Sequence, residues 1–91
     1  MMSFQTVGEL TAFVHEKMCE FDNLDPSQCP LYSADILRAG QPCGMFFRVK
    51  GPRLLKSHAV WSATEKRILF YDSIGQRVAE VRLKEAPRLA A

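Results

Sequence analysis

The apolar residues of this chain keep two different periods, and the change between them comes once. Val7, Leu10, Val14, Met18 and Phe21 recur every three or four positions, with Phe13 beside them. Side chains at that spacing share one stripe of a helix. Glu9, Ala12, Glu16 and Glu20 fall on the opposite side. From Cys43 onward apolar and polar residues alternate instead, the period of a strand with one buried face. One helical stripe followed by alternating strands can bury both in few ways. The pattern predicts an α+β fold, with one N-terminal amphipathic helix packed on a four- to five-stranded antiparallel β-meander.

The boundaries follow from local chemistry. Thr6-Val7-Gly8-Glu9 fits a capping box, in which the Thr6 hydroxyl accepts from a free amide and Glu9 reaches back. The helix is expected over about 7–21. Asp22-Asn23 and Asp25-Pro26 end it, because proline and the residue before it resist helix, and a loop is expected to follow to Pro30. Residues 32–39 read two ways: Ser33 as the cap of a short helix closed by Gly40, or a first strand, with strand or irregular structure slightly preferred. Gly40-Gln41-Pro42 reads as a turn. The meander is expected over about 43–84, with strands at 44–50, 54–63, 67–72 and 77–84. Gly51-Pro52-Arg53, Thr64-Glu65-Lys66 and Ser73-Ile74-Gly75-Gln76 separate them, with Gly75 at positive φ.

At 91 residues, 47% of them hydrophobic and 24% charged, the whole of 1–91 is expected to form one small folded domain. No apolar run approaches the ~20 residues of a membrane span. The first residues carry no basic segment followed by an apolar one, so no signal peptide is expected. A soluble, cytoplasmic protein without membrane contact is the resulting expectation. The three cysteines, Cys19, Cys29 and Cys43, are odd in number and irregularly spaced, which suits reduced thiols better than a disulfide framework.

Alternation sorts the strand residues into two faces. Met45, Phe47, Val49, Leu55, Trp61, Ile68, Phe70, Val81 and Leu83 share the face that the helix should cover. Hairpin geometry sets Phe70 opposite Ala79, Ile68 opposite Val81 and Asp72 opposite Arg77. A three-residue turn at Gly51–Arg53 sets Phe47 and Met45 opposite Ser57 and Ala59. The other face presents Phe46, Arg48, Lys50, Leu54, Lys56, His58, Val60, Arg67, Leu69, Tyr71, Val78, Glu80, Arg82 and Lys84, with cations interleaved among apolar side chains. Charge is lopsided along the chain too: residues 1–35 hold six of the ten acidic side chains and one of the twelve basic ones.

Catalytic and metal chemistry find little support. His15 and Cys19 sit four apart on the helix and project towards its exposed flank, where Cys29, with Cys43 or His58, would complete a zinc set. Yet no Cys-x-x-Cys or His-x-x-x-His pair is present. His58, Asp72 and Ser73 lie near one another, but His58 and Asp72 fall on opposite faces. Cys43, in the turn Pro42-Cys43-Gly44, would need a base such as His58 and nearby positive charge to act as a nucleophile. The chain has no Gly-rich phosphate loop and no Gly-x-Ser-x-Gly turn. No catalytic residue, metal or cofactor is therefore expected, and a zinc-binding or thiol-dependent protein is the least favoured alternative.

What remains is a non-enzymatic binding module. Protein–protein interaction or self-association, including a homodimer, through the outer sheet face or an edge is the first expectation. Its binding residues would be Phe46, Leu54, Val60, Leu69 and Tyr71. Single-stranded nucleic acid is the alternative, held by Arg48, Lys50, Lys56 and Arg82 beside Phe46 and Tyr71.

Overall fold

The computed structural model describes residues 2–51 and 56–87. Its elements are β1 (Met2–Ser3), α1 (Val7–Phe21), β2 (Leu31–Arg38), β3 (Gln41–Lys50), β4 (Lys56–Ser62), β5 (Arg67–Tyr71) and β6 (Arg77–Glu85). The strands form one sheet in the order β1-β6-β5-β4-β3-β2. β2 to β6 are a meander of antiparallel neighbours, and β1 pairs with β6 in parallel. The α+β architecture is the expected one. The strand count is six rather than four or five, because β1 adds a short edge and residues 31–38 extend as β2.

The helix begins where the capping box puts it. The Glu9 amide donates to the Thr6 hydroxyl at 3.1 Å, and the Thr6 amide donates to the Glu9 carboxylate at 3.2 Å. This reciprocal pair satisfies two amides that have no partner within the helix. Thr6→Ala is therefore expected to cost about 1 kcal/mol, lowering the thermal midpoint by roughly 4–8 °C in a calorimetric scan. The chain leaves the helix at Asp22, and Asn23 takes φ 54°.

The β2–β3 connection corrects the expected Gly40–Pro42 turn. Ala39 and Gly40 both have positive φ, 52° and 80°, the two-residue geometry that matches the twist of paired strands. β3 therefore starts at Gln41, and Pro42 lies inside a strand. Proline is tolerated there because Ile36 pairs with Gly44 but Leu37 with Pro42, which leaves Cys43 as the extra residue of a bulge. Gly44 is needed beside it: a Cβ at this position would collide with the backbone carbonyl of Trp61.

Two registers differ from expectation. Across β3 and β4, Met45 faces Trp61, Phe47 faces Ala59 and Val49 faces Ser57, a shift of two residues from the expected pairing. Among the described residues this ladder runs from Gly44 opposite Ser62 to Lys50 opposite Lys56. A shift of two preserves which side each residue faces. Leu54 and Leu55, like Pro52 and Arg53, lie outside the described residues. Across β5 and β6, Ile68 faces Val81 and Phe70 faces Ala79 as expected, but Tyr71 rather than Asp72 faces Arg77. Asp72 is drawn into the turn instead. Its carboxylate accepts from the Ile74 and Gln76 amides at 3.0 and 2.9 Å, and Gly75 closes the turn at φ 87°.

The helix lies on one face of the sheet. Leu10, Val14 and Met18 bury there against Phe47, Trp61, Ile68 and Phe70, all nearly inaccessible. Each such side chain contributes about 1.5–3 kcal/mol of transfer free energy. Met45, Val49 and Leu83 are buried in the same core, and Val81 is partly buried against it. No helix among the described residues is long and apolar enough to cross a membrane.

Candidate functional site

The face of the sheet opposite α1 is organised in cross-strand rows. The central row runs Ala34, Phe46, Val60, Leu69, Glu80 from β2 to β6. Phe46, Val60 and Leu69 are half-buried among their neighbours rather than standing clear of the surface. On one side of it runs a second row, Ile36, Gly44, Ser62, Arg67, Arg82. On the other runs Tyr32, Arg48, His58, Tyr71, and beyond that Lys50 faces Lys56.

The two ends of the face treat their cations differently. Arg67 and Arg82 are direct neighbours across β5 and β6, but carboxylates separate their charges. Arg67 donates to Glu80 at 3.2 Å and to Glu65 at 2.8 Å, and Arg82 lies 3.7 Å from Glu80. The hydrogen bond to Glu80, followed by the nearby charge of Glu65, holds the Arg67 guanidinium further above its ordinary range. At the far end, Lys50 and Lys56 are likewise direct neighbours, with Arg48 next along β3. Among the described residues, none of these three has a carboxylate within ion-pair distance. Like charges directly opposite on a sheet destabilise it. This end thus concentrates positive charge that no described carboxylate neutralises.

Aromatic rings lie alongside that charge. The His58 ring stacks on Tyr71 with centroids 4.7 Å apart and planes 9° from parallel, and Phe46 stacks on the other flank of His58 at 5.7 Å and 26°. On the edge strand, Tyr32 is 67% exposed with the Arg48 guanidinium 5.6 Å from its ring centroid. That distance is within the range of a cation–π contact.

The expected binding residues are therefore brought together on one face: Phe46, Arg48, Lys50, Lys56, Val60, Leu69, Tyr71 and Arg82 all lie there. They do not form one uniform site. Arg82 belongs to the neutralised end, while Arg48, Lys50, Lys56 and Tyr71 cluster at the other. Val78, expected on this face, lines a pocket with Met18, Phe21 and Phe70 on the helix side, displaced by the irregular register at Tyr71. Tyr32 joins the site without having been expected, because the strand that carries it was undecided. His58 was on the expected face, but its place within a stack depends on cross-strand register.

The residues weighed for metal or catalysis go elsewhere. Cys19 is buried in the core rather than on the exposed flank. Burial, followed by the neighbouring Cys29 and then Asp22 and Asp25, pushes its thiol up from the ordinary value. The loop after the helix folds back over it: the Leu24 amide donates to the Cys19 carbonyl, and the His15 Nε2 lies 2.7 Å from the Cys29 carbonyl. Among the described residues no group of three or more His, Cys, Asp or Glu side chains could hold a metal ion. The Asp72 carboxylate accepts from turn amides, and no hydrogen bond among the described residues joins it to His58. Compared with known proteins, the chain matches no family, no curated sequence and no solved structure.

Proposed function

We propose that this protein is a non-enzymatic binding module that holds single-stranded nucleic acid on the sheet face opposite its helix. One observation carries the reading: Lys50 faces Lys56 with Arg48 alongside, un-neutralised by described carboxylates, next to the Phe46–His58–Tyr71 stack. Cations spaced along a strand suit phosphates at successive nucleotides. The exposed Tyr32 ring beside Arg48 offers a plane on which an unpaired base can stack, and the half-buried stack offers only its open edges. A protein ligand on this face would need an exposed apolar patch, and Phe46, Val60 and Leu69 are half-buried. The geometry therefore favours the anionic ligand here, and association between protein chains is better served by the sheet edge.

The test is fluorescence anisotropy of a labelled single strand titrated with the protein, with a duplex of the same length for comparison. Tighter binding to the single strand is expected, with the logarithm of affinity falling against log salt at a slope of roughly −2, the value for about three phosphate contacts. Absence of binding at low ionic strength, where such contacts are strongest, would rule the proposal out.

A further inference from the structure

We infer that β2 is the seam of a two-fold dimer, pairing antiparallel with β2 of a second copy. The inference does not depend on the ligand proposal: it rests on the edge of the sheet, although Tyr32 serves both. β2 ends the sheet order, and among the described residues no strand pairs with its outer side. It is eight residues long, whereas the opposite edge, β1, has two. Short strands, lysines, charges on the inward face and internal prolines are the usual protections of an edge. β2 has no lysine and no internal proline, its one charge on the helix side is Asp35, and the extra residue of the bulge lies on β3, so β2 keeps its own alternation. Its Tyr32 and Leu37 are 67% and 61% exposed, the most exposed large apolar side chains on the described strands.

The residues of β2 also choose their own partner. With Ala34 opposite Ala34 of the second copy, Tyr32 faces Ile36 on the outer side of the sheet. On the helix side Leu31 faces Leu37 and Ser33 faces Asp35. Each of these pairs occurs twice by symmetry, as an isologous interface requires. Every facing pair is then apolar with apolar or hydroxyl with carboxylate. Sliding by two residues in one direction sets Asp35 against Asp35, and in the other sets Leu31 against Asp35. One register is compatible and its neighbours are not, which is the condition for a defined pairing rather than a sticky edge. The occupant is a second copy of this chain, since the sequence of the strand is complementary to itself.

Ser33 gives a test with two signs. It is exposed, so its substitutions should leave the fold intact, as far-ultraviolet circular dichroism can check. In the inferred register S33K places a lysine against Asp35 twice, and S33D places a carboxylate there twice. Light scattering or sedimentation from roughly micromolar to millimolar protein should show a dimer whose dissociation constant is lowered by S33K and raised by S33D, the two variants lying about tenfold apart. A wild-type protein that stays monomeric over that range, or a dimer equally tight in both variants, would overturn the seam. If S33D fails to fold, S33K alone decides: unchanged dimerisation overturns the inference. Anisotropy on the same samples separates the two proposals, because a monomer that still binds a single strand removes the seam and leaves the ligand face standing.

Discussion

Lys56→Glu combined with Arg48→Glu is expected to lower single-strand affinity by about two orders of magnitude at low salt, and to reduce the salt slope by roughly 1.4. Two of the three cations of the Arg48–Lys50–Lys56 cluster are lost and two negative charges take their place. Lys56→Glu alone should have an effect of the opposite sign on the fold. It replaces a repulsive Lys50–Lys56 pair by an attractive one directly across β3 and β4, stabilising the protein by up to about 1 kcal/mol in urea titrations. Weaker binding together with greater stability is the signature of a charge cluster kept for a ligand. Weaker binding without any gain in stability would mean that the lysines are not facing each other. Unchanged binding by the double variant would remove these residues from the site.

Trp61→Ala is expected to have the largest effect on stability, about 3–5 kcal/mol measured by urea unfolding. Trp61 is fully buried between Met45 and Ile68 on the neighbouring strands, under the helix. A domain of ordinary stability has only about 5–15 kcal/mol in total, so the variant should lose much of it. Val60→Ala, one residue away on the opposite face and half-buried, should cost about 1 kcal/mol or less. Equal losses at the two positions would contradict the assignment of faces.

The helix and the two faces of the sheet were legible for different reasons. Thr6 and Glu9 form a local capping motif whose partners are three residues apart, and the stripe from Val7 to Phe21 is long enough to show its period. Strand alternation through Phe47, Trp61, Ile68 and Phe70 survives a register error of two residues, so the faces were right where the β3–β4 pairing was not. β1 was illegible because Met2 and Ser3 are too few to carry a period. Their place depends on β6, some eighty residues away in sequence. β2 was ambiguous because an edge strand beyond the reach of the helix has no need of a strongly apolar face: Ser33 and Asp35 lie on the helix side and remain exposed. Cys19 was misplaced because the loop that covers it, with Leu24 and Cys29, has no periodic signal.

At the ligand face, composition and parity identified most of the side chains, but not their grouping. Part of the difference is local: Glu80 lies two residues before Arg82 and Glu65 two before Arg67, whereas no acidic residue is near Lys56. Only the fold shows that both carboxylates reach Arg67 across β5 and β6 and that no described carboxylate reaches the β3–β4 end. The stack of His58 between Phe46 and Tyr71 likewise arises from three strands, and only their register brings the rings together.

The measurement that addresses the central claim most directly is a map of backbone amide shifts in a nitrogen-15 spectrum as an unlabelled single-stranded oligonucleotide is added. Binding on the proposed face predicts the largest shifts at Tyr32, Arg48, Lys50, Lys56, His58 and Tyr71, with the solvent-facing side of α1 unmoved. Shifts centred on the helix or on the loop over Cys19, with the Arg48–Lys56 region silent at saturation, would contradict it.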